Sequence, residues 1–358
     1  MTEGDDGRMT AEINSEEGGW KALASLYHNF FTGLILSTTL RAGADAAGQW
    51  SFNLFRRQHH ENFLSSFEKL GVAGLPHAVA ATRYHYFSNR IGGVDVEYME
   101  VSDKKAWIRF PHPRWIYEGP AICGVPLEVG HGFLKGWYAH NGVTLENPRL
   151  GFVCVSQDVE AHIGFAGYFM EYDRDLADDE RLRFVADEVP PLFDASKAPT
   201  LDPDIWTEDR LLKARRNYAM AYVKNGLWEL DALLGDEKTR EISEITAKLI
   251  GRQFYHRILE IMGRDIADTR PETFAEFMAA IAAAHGDKVA WSRDGDGIEI
   301  RQSGWRLVRG VVDIPDTMFD AWNSLWEGCL NVHDRMLTIE TLRRPKDSGG
   351  EIVWRVSP

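Results

Sequence analysis

The strongest constraint in this chain is a segment, helix followed by two strands, that occurs twice. Phe133-Leu134-Lys135-Gly136-Trp137-Tyr138 and Leu325-Trp326-Glu327-Gly328-Cys329-Leu330 align without a gap. Trp115 stands ahead of the first segment as Trp305 stands ahead of the second. Leu150 to Val155 then matches Met336 to Thr341, and Gly167 to Tyr172 matches Gly350 to Val356 approximately. A supersecondary unit that recurs within one chain points to two similar domains, each burying the apolar face of a sheet under helices. The expected fold class is therefore α+β, as two tandem units of helices plus an antiparallel sheet. A length of 358 residues suits two moderate domains.

Apolar spacing fills in the elements around that frame. Trp20 to Arg41, Ala44 to Leu70 and Leu75 to Asn89 read as helices. Val94 to Val101 and Lys104 to Pro111 read as a hairpin turning at Ser102-Asp103. A helix from Val125 to His140 follows, closed by Asn141-Gly142, two residues that tolerate a left-handed backbone. Strands are expected at Leu150 to Ser156 and Gly167 to Tyr172. In the second half helices are expected at Thr207 to Leu234, Glu237 to Met262, Pro271 to Ala284 and Asp316 to His333. The strands there are Lys288 to Ser292, Gly297 to Ser303, Met336 to Leu342 and Glu351 to Val356. The predicted division is a disordered acidic tail at 1–18, a first unit at 19–175, an acidic, proline-rich linker at 176–206 and a second unit at 207–358.

Composition narrows the function. A formal net charge of -14 argues against nucleic acid, because phosphate binding needs clustered Lys and Arg. No apolar run approaches the roughly 20 residues of a membrane helix. Three cysteines in so long a chain point to a reducing, cytoplasmic setting with no disulfide framework. Gly92-Gly93 and Gly349-Gly350 read as ordinary turns. With no phosphate loop, dinucleotide fingerprint or His-Glu-x-x-His present, no nicotinamide, flavin, nucleotide or metal cofactor is expected. What remains is side-chain acid-base chemistry, or binding without chemistry. The partner would be an aromatic or heterocyclic small molecule, and the duplicated, acidic architecture is compatible with a homodimer.

Histidine is the natural acid-base group. His131 lies near the line of Leu127, Leu134 and Tyr138 and is the favoured base. His140, nine residues on, points about 180° away on a regular helix. His85, with Tyr86 and Arg90 close by, is a second candidate. A structural histidine is the plain alternative for both. Trp115, Tyr117, Trp137 and Tyr138 would wall a pocket, and Arg90, Arg114 or Arg149 would take a carboxylate or phenolate. The adjacent His59 and His60 diverge by about 100° and read as a solvated or capping face. Cys329 and His333, at four residues' spacing on one helix, form the only local thiol-imidazole pair.

Trp137-Tyr138-Ala139-His140-Asn141-Gly142, Gly151-Phe152-Val153-Cys154 and Gly167-Tyr168-Phe169 resemble the C-terminal part of the 4-vinyl-reductase-like domain, a small-molecule-binding fold. From Arg215-Arg216-Asn217-Tyr218-Ala219 onward the chain resembles the L-2-amino-thiazoline-4-carboxylate hydrolase family, similar in fold. The resemblance implies a cofactor-independent enzyme hydrolysing a C-N bond, with Cys329 as nucleophile and His333 beside it. Lyase chemistry on an aromatic substrate, with elimination or loss of formaldehyde driven by a His or Tyr, is the alternative. An aromatic-ligand sensor is the third reading. Many 4-vinyl-reductase-like domains hold a metal through an acidic residue three before a cysteine and a second cysteine eight after it. Here those positions are Gly151, Cys154 and His162, so the carboxylate is missing.

Overall fold

The computed structural model describes residues 16–358 except 161–163 and 187. It is α+β, and the chain divides into two compact units. One comprises Ile35–Arg215; the other combines Met1–Leu34 with Arg216–Pro358. We call these the first and second unit. Helix α1 (Glu16–Ala42) and helix α6 (Glu208–Leu234) each cross a boundary between them. The division therefore differs from one drawn at the acidic stretch. Residues 16–18, assigned by composition to a tail, already belong to α1.

The first unit runs α2 (Ala44–Asn62), α3 (His77–Ile91), β1 (Glu97–Ser102), β2 (Lys105–Arg109), α4 (Leu127–Gly136), a short α5 (Asn141–Thr144), β3 (Leu150–Ser156), β4 (Ala166–Glu171) and β5 (Leu182–Phe184). The second runs α7 (Asp236–Ile261), α8 (Pro271–His285), β6 (Lys288–Asp294), β7 (Gly297–Ser303), α9 (Asp316–His333), β8 (Thr338–Arg343) and β9 (Glu351–Ser357). Strand order is β1-β2-β4-β3-β5 in one sheet and β6-β7-β9-β8 in the other. Apart from β5 the two orders coincide strand for strand, which is the arrangement the repeated segment requires.

Glycine makes the repeated helix crossing. A Cβ at Gly132 would stand 2.3 Å from the Gly48 carbonyl oxygen, and one at Gly136 would stand 2.6 Å from that of Phe52. In the second unit a Cβ at Gly328 would lie 2.2 Å from the Lys248 carbonyl, and one at Gly251 2.3 Å from that of Leu325. The aligned pair Gly136 and Gly328 therefore serves one purpose in both units. It lets α4 rest on α2, and α9 on α7, backbone against backbone.

Three expectations need correction. The helix predicted from Val125 to His140 stops at Gly136. Tyr138–His140 tighten into a 3₁₀ turn, and Asn141-Gly142 are themselves helical. The left-handed residue is Glu146, at φ 52°. The second helix ends at Asn62, eight residues earlier than its apolar pattern indicates. The stretch read as a linker adds β5 in parallel to β3: Phe152 N–H donates to the Arg181 carbonyl at 2.8 Å, and Val185 N–H to that of Cys154 at 2.9 Å. Those bonds satisfy an edge that the antiparallel strands leave open. No helix among the described residues is long and apolar enough to cross a membrane.

Candidate functional site

The sheet of the first unit is apolar on both faces. Ala106, Ile108, Phe152 and Phe169 are fully buried on the inner face, which α3 covers. Met99, Trp107, Val153, Val155, Ala166 and Tyr168 form a second cluster on the outer face, with Val185 and Phe193 packed against it. The chain beyond β5 thus runs as a strap across the outer face. Glu188 ties it down by accepting from the Tyr168 hydroxyl at 2.7 Å, and Lys105 reaches the same carboxylate at 3.4 Å. Farther on, the Trp206 indole donates to the Lys69 carbonyl at 2.7 Å.

Between those ties the strap and the C-terminal end of α3 enclose a half-open cleft of about 510 Å³. Tyr86, Phe87 and Arg90 line it from the helix; Phe193 and Leu201 are the large apolar side chains on the strap side. Tyr86 and Arg90 are one helical turn apart. Arg90 Nη1 donates to the Tyr86 hydroxyl at 2.8 Å, with its guanidinium 5.4 Å from the ring centre. Arg90 is exposed and makes no ion pair among the described residues. A guanidinium free of carboxylates at the mouth of an apolar cleft can dock an anion bidentately.

The other residues singled out by sequence lie elsewhere. His85, next to Tyr86 on α3, points about 100° away from it. It stacks on Tyr138 at 4.0 Å and on Phe169 at 5.6 Å, hydrogen-bonds to Asn141 at 2.9 Å, and burial pulls its pKa down to about 3. It is a neutral core histidine. His131 sits on the edge of α4 against Phe184, at 4.5 Å between ring centres; burial, then Lys135, lowers its pKa. It does not line the cleft, and its neighbour Phe184 is itself exposed, so the inward face its spacing implied is not where it lies. Trp137 packs among Phe55, His59 and Tyr84, and Tyr138 in the core between His85 and Phe152. Trp115 opens a half-buried 3₁₀ turn. The buried Tyr117 hydroxyl accepts from Arg114 at 3.4 Å, and Arg149 pairs with Glu171 at 3.1 Å on the surface.

The Cys329–His333 pair is not a nucleophile and its base. Burial raises the Cys329 thiol far above its ordinary value. Both ring nitrogens of His333 are engaged with other groups, Nδ1 with the Tyr255 hydroxyl at 2.8 Å and Nε2 with the Arg270 carbonyl at 2.9 Å. Cys154 is likewise buried, its thiol pushed up to about 12, and His162 lies outside the described residues. His59 is not solvated: it is fully buried, 2.8 Å from the Thr144 hydroxyl, with burial and then His140 holding its pKa down at about 2. No cluster among the described residues has the donors for a metal ion.

Sequence reasoning named Tyr86 and Arg90 but missed Phe87 and the whole strap side. The available signal was Phe193, a lone large aromatic amid Pro190-Pro191 and Pro199. Compared with known proteins, the chain matches no family model, no curated protein and no solved structure.

Proposed function

We propose that the first unit binds a small aromatic anion in the cleft between α3 and the strap. One observation carries this reading: Arg90, without a described carboxylate partner, stands beside the Tyr86 hydroxyl at the rim of a cleft whose other side chains, Thr200 apart, are apolar. Phe87, Phe193 and Leu201 would hold the ring, and Arg90 would take the carboxylate or phenolate. The sequence resemblance to 4-vinyl-reductase-like domains, a small-molecule-binding fold, supports such a ligand. Three cysteines without a disulfide support a reducing, cytoplasmic setting.

A second reading adds chemistry. The Tyr86 hydroxyl accepts from Arg90 and donates to no described residue, so its proton is available to a bound molecule. Lyase chemistry on an aromatic substrate would use that group. Hydrolysis by a thiol finds no such support, since Cys329 is sealed in the core.

The test is calorimetry and mass spectrometry on the purified protein with hydroxylated aromatic acids, an amino-thiazoline carboxylate and a hydantoin. An aromatic acid should bind, and Arg90→Ala should weaken it by about 10- to 100-fold, as expected for a charged hydrogen-bond pair. Products lighter by water or formaldehyde would establish the lyase, with turnover lost in Tyr86→Phe. Binding indifferent to Arg90→Ala would remove the cleft from consideration.

A further inference from the structure

The second unit buries a chain of three titratable groups that the cleft does not use. The Tyr27 hydroxyl lies 2.6 Å from His285 Nε2, and His285 Nδ1 lies 3.6 Å from an Asp287 carboxylate oxygen. Trp322 Nε1 donates to the Tyr27 hydroxyl at 3.0 Å. Tyr27, His285 and Trp322 are fully buried. With one lone pair taken by the indole, the Tyr27 hydroxyl keeps its own proton to share with Nε2. His285 Nδ1, facing Asp287, has no hydrogen-bond partner among the described residues. Asp287 is held in turn by Gln302 Nε2 at 3.0 Å and by the Arg306 backbone N–H at 3.1 Å.

No substrate can reach a hydroxyl so deeply enclosed, but an electron can leave it. Trp322 stands at the centre of a group of indoles, with Trp305 at 5.1 Å, Trp326 at 5.2 Å and Trp354 at 5.6 Å between ring centres. Among the described residues the indole N–H groups of Trp305 and Trp326 have no acceptor, and that of Trp354 donates to the Asn323 amide oxygen. An oxidised indole in this group has no base to receive its proton and therefore stays strongly oxidising. Tyr27 is the hydroxyl bonded both to an indole of this group and to an imidazole; Tyr255 is bonded to His333 but to no indole among the described residues.

We propose that Tyr27 is the terminal electron donor of a buried one-electron relay, with His285 as its proton acceptor and the Trp322 cluster as the path. A one-electron oxidant at the surface, of the peroxyl-radical or high-valent metal-complex class, removes one electron from the cluster. Tyr27 refills it, and the O–H bond breaks as the phenolic proton moves to His285 Nε2. The products are the reduced oxidant, a neutral phenoxyl radical at Tyr27 and an imidazolium at His285 opposite the Asp287 carboxylate. Charge and electrons balance, and the proton travels no farther than one hydrogen bond.

The experiment is photo-oxidation of the intact protein by a ruthenium(III) polypyridyl ion, generated in the flash and followed by electron paramagnetic resonance. Wild type should give a long-lived phenoxyl signal that Tyr27→Phe abolishes, leaving a tryptophan signal. His285→Gln, which keeps a hydrogen bond but offers no base, should cut the phenoxyl yield by at least about tenfold, and circular dichroism checks its folding. Should that variant fail to fold, deuterium exchange in the wild type should slow radical formation, because the proton moves with the electron. A long-lived phenoxyl signal unchanged by Tyr27→Phe overturns the proposal, as does formation without an isotope effect. This outcome is independent of whether Arg90 binds an anion.

Discussion

The two sheets share one strand order and differ on their outer faces. In the first unit that face is Met99, Trp107, Val153 and Tyr168, and the chain from Val185 to Leu201 covers it. In the second the corresponding face carries ion pairs: Arg301 with Glu299 at 2.6 Å and with Glu351 at 3.5 Å, and Arg343 with Glu351. An antiparallel sheet can turn one face to water if its outward residues are polar. The second unit does so and needs no cover. The first unit carries aromatics there instead and draws in a strap, and the strap makes the cleft. Four strands run in the same order in both sheets, and the side chains on the outer face decide which of the two draws in a cover.

The features shared by both units should be equally vulnerable. Gly136→Val and Gly328→Val each drive side-chain carbons into a helix backbone that cannot move aside. Each should cost about 3 kcal/mol or more in urea unfolding. If one is tolerated, the two crossings are not equivalent. Next in size is Phe193→Ala, which should lower stability by about 1–2 kcal/mol and weaken the aromatic ligand, since Phe193 both packs under the strap and lines the cleft. Retention of full ligand affinity would separate the strap from the site.

Acid should act on both units, since burial also lowers His28 of the second to about 3. In the first, burial keeps His85 and His59 neutral, with pKa values of about 3 and 2 against 6.5 unfolded. The unfolded chain therefore binds more protons below pH 6.5. The stability that neutral burial allows is present above that pH and is lost as the pH falls toward 3. The slope should approach about 1.4 kcal/mol per pH unit for each such imidazole. His85→Gln, which can keep a bond to Asn141, should flatten the dependence; an unchanged pH profile would show that His85 is protonated in the fold. The smallest effect is expected on the second unit's outer face, where Arg343→Ala should leave the unfolding midpoint unchanged, as exposed ion pairs contribute little.

Elements set by their own residues were legible in the sequence. The short apolar run Leu150–Ser156 coincides with β3 and the helix expected at Asp316–His333 with α9, both to the residue. The i, i+4 pair Tyr86 and Arg90 was visible for the same reason. What was hidden depends on distant atoms. The end of α4 answers to the docking of Gly136 on Phe52 and to the stacking of Tyr138 on His85, groups more than fifty residues away. The strap looks like a linker because its bonds go to a sheet made earlier in the chain. His85 and Tyr86 are neighbours in sequence, yet one side chain enters the core and the other the cleft, which only the position of α3 on its sheet decides.

The boundary inside α1 sets an order of events during synthesis. Residues up to Leu34 belong with partners that begin at Arg216; Gly33, for instance, lies directly against Thr246 and Ile250. At about 5–20 residues per second, the first half of α1 waits on the order of ten seconds or more for those partners to leave the ribosome. Its apolar side chains Leu23, Leu26, Phe30 and Phe31 stay uncovered meanwhile. A transcript truncated near residue 215 would yield a finished first sheet bearing a sticky helical arm, a natural client for chaperones and a ready donor for exchange between unfinished chains.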